Sequence, residues 1–284
     1  MTTAQATYAG RTAALATKHG KGPLIATPLA AVGLEVVVTP LDTDSFGTFT
    51  GEVPRRGTTR EVAVRKARAA IEASGLDVGL ASEGSFGPHP AMPGVTTDLE
   101  LVVLVDDRLG VTVSERVVTT ATAAASLEAT AATSSAELER FCNQVGFPDQ
   151  ALICRPADGT RQAITKAITS LDGLHRAIRA ATGASRDRRA VVETDLRAHL
   201  CPTRRVVIVE AATRLARRLA SRCPRCETPG FGQVGVETGL PCRWCGLPTD
   251  APAAFVDGCA RCDFRQRRPV AGDADPSTCP ACNP

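Results

Sequence analysis

Apolar positions along the chain recur with two periods. RTAALAT (11–17) and LEVVVT (34–39) are short apolar runs that predict buried strands. Between them, KGPLIATPLAAV has helix-like spacing, shortened by Pro23 and Pro28. From Thr58, TTREVAVRKARAAIEASG offers a hydroxyl N-cap, apolar Val62, Ala63, Ala67, Ala70 and Ile71, and a terminating Gly75, so a helix is expected there. A strand at 77–82 follows at once. Such alternation predicts an α/β domain, a mixed sheet flanked by helices, over residues 1–221. Residues 98–106 and 109–118 predict a β-hairpin turning near Asp107 and Arg108. A helix at about 134–146, a strand at 150–154, a helix at about 161–182, a strand at 189–194 and a last helix from Pro202 complete the pattern. The alanine- and threonine-rich run 119–136 is not decided by its composition.

At residue 222 the composition changes abruptly. Eight of the eleven cysteines lie beyond it, in the pairs Cys223/Cys226, Cys242/Cys245, Cys259/Cys262 and Cys279/Cys282. A CxxC turn aims two thiolates at one point, and two such turns close a tetrahedron around Zn²⁺. Residues 222–284 are therefore expected to be a small tandem zinc-ribbon region holding two structural zincs. Consecutive pairs are expected to combine, although interleaving fits the spacing too. Cys142, Cys154 and Cys201 are expected to be small packing residues.

The 284 residues carry a formal charge of +3 and 43% hydrophobic side chains. No apolar stretch is long enough to span a bilayer, and the first residues lack the pattern of a signal peptide, so the expected location is the cytoplasm. The tail balances seven arginines against seven acids, and zinc-bound thiolates add negative charge. That argues against nucleic acid as a partner and leaves protein contact or simple stabilisation for the ribbons.

Three stretches carry candidate chemistry. ATKHGK (16–21) places Lys21, His19 and Gly20 at a strand-to-helix corner suited to phosphate. LASEGSFGPHP (80–90) reads as a sharp glycine- and proline-marked turn presenting Glu83, Ser85 and His89, although a serine in a turn usually caps its own backbone. VVETDLRAHLCPTRR (191–205) sets Asp195, Arg197, His199 and Arg204 between a strand and a helix. Glu61 on the first long helix and Glu83 at a strand end are two acids that could hold Mg²⁺ with phosphate oxygens.

The order of these motifs over residues 11–120 resembles the inosine triphosphate pyrophosphatase-like enzymes. Those begin with a strand ending in T-x-N-x-x-K, where Thr17, His19 and Lys21 stand here. They continue with G-x-T-x-E-x-x-A-x-x-K-A, of which GTTREVAVRKA keeps Gly57 and Glu61, with Ala63, Lys66 and Ala67 each one residue nearer than in that pattern. Their next strand ends in an acid followed by glycine, as in ASEGSFG. The resemblance implies metal-holding roles for Glu61 and Glu83 and a phosphate role for Lys21. It departs in having His19 for the asparagine, a lysine one residue nearer, and one acid where many members have two. The whole chain also resembles a bacterial family of unknown function, through ATKHGK, SEGSFGPHP, ETDLRAH and the CxxC tail; that resemblance implies no activity.

The sequence thus leads to a Mg²⁺-dependent phosphohydrolase acting on a nucleotide or other phosphate ester. Glu61 and Glu83 hold metal, Lys21, Arg197 and Arg204 bind phosphate, and His89 or Asp195 activates water. The competing reading is a non-catalytic nucleotide-sensing or scaffold protein that docks protein partners through its ribbons.

Overall fold

The computed structural model describes residues 8–18, 20–47, 53–89 and 92–283. His19 and Pro90, which belong to the stretches singled out above, lie outside the described residues.

The first lobe is a five-stranded mixed sheet. Strand β1 (Arg11–Ala16) leads through α1 (Gly22–Leu29) to β2 (Leu34–Thr39), and α2 (Thr59–Ser74) leads to β3 (Val78–His89); β4 (Met92–Asp106) and β5 (Val111–Thr119) complete the order β2-β1-β3-β4-β5. β1 pairs parallel with both β2 and β3, whereas β3, β4 and β5 are antiparallel. Helix α2 has the expected ends: Thr58 and Glu61 form a reciprocal capping box, and Gly75 closes it in the left-handed conformation. Its apolar face packs Ala63 and Ala67 on Leu101 and Val103. The opposite face of the sheet, with Leu80, Val102 and Leu104, is covered by α1 and the last helix, α5 (Pro202–Ala220).

β6 (Ser126–Ala129), β7 (Leu152–Pro156), β8 (Thr165–Ile168) and β9 (Ala190–Thr194) form a second sheet, ordered β6-β9-β7-β8, with α3 (Ser135–Val145) and α4 (Leu171–Ala184). It has its own core, in which Leu152, Cys154 and Val192 meet Leu174 and Ile178 of α4. The helix expected over 161–182 is thus corrected. Residues 165–168 pair with β7, and Ser170 caps the helix that follows. β-branched Thr165 and Ile168 suit the pleated surface better than a helical turn.

The 80–90 turn is corrected too. Residues 80–89 continue β3, paired with β4 from Leu80↔Leu104 to His89↔Met92. Gly84 is there for a reason other than a turn: a Cβ at that position would overlap Arg204 Nη2 and Glu100 Oε1.

The cysteine region is built on a three-stranded antiparallel sheet of β10 (Gly232–Thr238), β11 (Pro252–Gly258) and β12 (Arg265–Pro269). It rests on the first lobe where Arg218 of α5 donates to the Gly230 carbonyl oxygen at 3.0 Å.

Candidate functional site and paired zinc centres

In the order β2-β1-β3, the chain leaves β1 to one side and returns on the other, so the carboxyl end of β1 is a topological switch point, where open α/β sheets form a ligand crevice. β1 stops opposite Ala81, whereas β3 runs on. Ser82, Glu83 and Gly84 therefore form a wall above the end of β1. Alternation along β3 sends Ser82 to the α1 side and Glu83 to the α2 side.

On the α1 side, Lys21 stands at the start of α1 and donates to Ser82 Oγ at 3.0 Å. It is only 8% exposed. Burial, with Arg204's charge acting in the same direction, pushes its pKa down to about 8. Arg204 of α5 pairs with Glu100 of β4 and donates from Nη1 to the Leu196 carbonyl oxygen at 2.6 Å, tying the end of the second sheet to the first. On the α2 side, Lys66 pairs with Glu83. Arg55 joins Glu83 at 3.3 Å and donates to the Gly84 carbonyl oxygen at 2.7 Å. These groups line one crevice together with Lys18 and Asp44, which pair at 2.5 Å. Five cationic side chains (Lys18, Lys21, Arg55, Lys66, Arg204) face it with two carboxylates (Asp44, Glu83), while Asp42 and Glu100 pair with Lys18 and Arg204 from outside the lining, so the cations outnumber these four carboxylates by one.

Behind Gly84, β4 carries Asp98 and Glu100 on the face it shares with Val102 and Leu104. Both acids are buried, and among the described residues Asp98 Oδ1 and Glu100 Oε2 have no hydrogen-bond partner. Burial, reinforced by Glu100, pushes Asp98 up to about 7. Sequence reasoning missed this pair, although DLELVVLVD shows its acids in register with the inward-facing Val102 and Leu104. Arg55 was missed because nothing in EVPRRGT separates it from Arg56.

The other expected site residues are dispersed. Glu61 accepts from the Thr58 backbone N–H at 2.8 Å, which holds its pKa below the usual range. Glu61 and Glu83 thus each have their own partners. His89 ends β3, six residues beyond Glu83, or about 20 Å along an extended strand. Asp195 is fully buried and accepts from the Ala167 backbone N–H at 3.1 Å and from Arg197 at 2.6 Å. Burial alone would raise its pKa; these hydrogen bonds outweigh it and lower it. Arg197 lines a separate cavity of about 590 Å³ between the two sheets, which meets the crevice at Arg55 and Gly84.

The cysteines form two quartets, Cys223/Cys226/Cys259/Cys262 and Cys242/Cys245/Cys279/Cys282. The expected pairing of consecutive CxxC turns is therefore corrected to an interleaved one. Gly232 at the start of β10 pairs with Gly258 at the end of β11, so the hairpin returns Cys259 to Cys226; β12 then carries the chain to the other end of the sheet, where Cys279 meets Cys245. Sγ separations of 3.6 and 3.8 Å in the first quartet and 3.7 and 3.9 Å in the second match the ~3.8 Å edge of a tetrahedron with Zn–S of ~2.3 Å. Backbone N–H groups of Arg261 and Trp244 donate to Cys259 and Cys242 Sγ, the outer contacts that orient thiolate ligands. Four sulfurs fill a tetrahedral shell, so a zinc held here would be structural. Among the described residues these quartets are the groups of three or more His, Cys, Asp or Glu that could hold a metal.

Fold and sites together define a two-lobed α/β protein with a cationic switch-point crevice and a doubly cysteine-ligated C-terminal sheet. The chain belongs to the family described as a domain of unknown function (DUF6671), whose model matches residues 66–284, from Lys66 through the last cysteine. No curated protein matches it. Among the described residues, no helix is long and apolar enough to cross a membrane.

Proposed function

We propose that the crevice at the end of β1 binds the phosphate groups of a nucleotide or another small phosphate ester, and that the bound ester is hydrolysed with Mg²⁺. The observation that carries this reading is the buried Lys21 ammonium, which donates to the Ser82 hydroxyl at a switch-point crevice lined by four further cations. Cations gathered at one crevice, with one positive charge beyond their carboxylate partners, favour an anion. Lys21, Lys66, Arg55 and Arg204 would offset charge developing on the transferred phosphoryl group. Mg²⁺ keeps several waters and is commonly bound by phosphate oxygens plus one or two carboxylates. Glu83 and Asp44 line the crevice and fit that role better than Glu61, whose carboxylate closes a helix cap.

A second reading has a specific observation in its favour. Glu83 is already held by Lys66 and Arg55, which suits a site that binds phosphate without turning it over. The protein would then sense its ligand and present its zinc-bearing sheet to a protein partner. Titration with pyrophosphate and a nucleotide panel, with and without Mg²⁺, followed by phosphate-release assays, distinguishes the two. Binding with metal-dependent release supports the hydrolase, and binding without release supports the sensor. No binding rejects both.

A further inference from the structure

The cavity between the two sheets adjoins the crevice, with Arg55 and Gly84 lining both. Its chemistry is set by the second sheet, which has helices on one face only. The other face, turned to the first lobe, carries Ser126, Glu193 and Ile153 side by side, since Glu193 of β9 pairs with Ser126 of β6 and with Ile153 of β7. Glu193 is fixed from the same face by Arg155, which donates from Nε and Nη2 at 3.2 and 3.3 Å, while the Glu193 side chain stays 31% exposed. Asp195 accepts from Arg197 Nε and Nη2, which takes up that edge of the guanidinium and fixes its place at the cavity wall. Across the gap runs β3 at Ser85 and Phe86, the latter with its ring beneath the Arg204 guanidinium.

A fixed carboxylate accepts hydrogen bonds and cannot donate them, whereas a guanidinium only donates. A hydroxyl group does both. A wall with a fixed carboxylate acceptor, a held guanidinium and the Ser126 hydroxyl suits a polyol, and it does not suit an apolar ring system that would desolvate the Glu193 carboxylate. We propose that this cavity holds the hydroxyl-bearing part of the ester whose phosphates occupy the crevice, with Glu193 accepting from a vicinal diol. The inference rests on the phosphate reading and adds a substrate class: a sugar phosphate, or a ribonucleotide recognised by its ribose. Asp195 is a positioning residue, acting through Arg197.

The test is calorimetric titration of the full chain with pyrophosphate, ribose 5-phosphate, ATP and 2′,3′-dideoxy-ATP. At least one diol-bearing ester should bind, and ATP, where it binds, should exceed its dideoxy analogue by about tenfold or more. A polar site left unpaired by a missing hydroxyl loses affinity steeply. Glu193→Gln should remove that preference and leave pyrophosphate binding unchanged. Binding of ribose 5-phosphate without ATP points to a sugar phosphate, and the reverse to a nucleotide; both support the inference. Equal binding of ATP and dideoxy-ATP, or a Glu193→Gln variant that keeps the preference or loses pyrophosphate equally, overturns it while leaving the phosphate site standing. If pyrophosphate and every ester fail to bind, the phosphate reading falls and this inference with it. The wild-type contrast between the two nucleotides needs no variant to fold.

Discussion

Arg204 of α5 and Glu100 of β4 pair directly over Gly84, so that the glycine's missing side chain is the space the ion pair occupies. That one contact fixes the first sheet against the last helix, and through Leu196 it also fixes the end of the second sheet. A buried pair of this kind is costly to break, because each charge would be left uncompensated.

Gly84→Ala should therefore destabilise the fold by on the order of 3 kcal/mol or more, as expected when a methyl group displaces a buried ion pair. Gly87, three residues on in the same strand, has open space where its Cβ would go, and Gly87→Ala should be close to neutral. Denaturant midpoints of the two variants check this. Similar stability in both would show that the Arg204–Glu100 pair can move aside.

Asp98 gives the protein a pH signature. Its folded pKa, about 7, is above the ordinary 3.8, so the folded state holds a proton that the unfolded chain releases between those values. Its favourable contribution is complete below about pH 3.8 and lost as pH rises through 7. Asp98→Asn should match wild type near pH 4 and exceed it near pH 8, by on the order of 2–4 kcal/mol. Thermal melts across that range would show the gap opening; a constant difference would reject the assignment.

The zinc quartets predict two zincs per chain. Their interleaving is tested by double variants. Cys223→Ser with Cys242→Ser strikes both quartets and should abolish both sites, whereas Cys223→Ser with Cys259→Ser strikes one and should leave a single zinc. Consecutive pairing would give the opposite counts by elemental analysis. Chelation should melt the β10–β12 sheet, because structural zinc sites contribute folding energy directly.

Much of this fold was legible in the sequence. Helix α2 has a hydroxyl cap, an acid at its third position and a closing glycine, and all are local signals that tertiary structure left in place. β1, β9 and the β4–β5 hairpin were equally plain from apolar runs and one turn; β2 forms as a strand but is corrected from buried to edge, with Val37 and Val38 exposed. What was not legible depends on partners distant in the chain. Gly84 looks like a turn residue until Arg204, 120 positions later, comes to rest on it. Cys226 and Cys259 are joined by a hairpin whose register cannot be read from spacing. Lys21 and Arg204 were both expected at phosphate and do share the crevice, but Arg197 lines the neighbouring cavity, and Glu61 serves its helix.

Pyrophosphate titration of wild type and Lys21→Met is the most direct test of the phosphate crevice. Because the Lys21 pKa in the free protein is about 8, wild-type affinity should hold from pH 6.5 to 7.5 and fall as pH rises beyond 8, where the ammonium is lost. Lys21→Met should bind at least tenfold more weakly at pH 7, a loss of about 1.4 kcal/mol, and lose that pH dependence. It should remain folded, and be more stable than wild type at pH 7, since it removes a buried charge whose cost is reflected in the depressed pKa. A wild-type protein that does not bind pyrophosphate, or a folded Lys21→Met variant that binds it as tightly, would contradict the account.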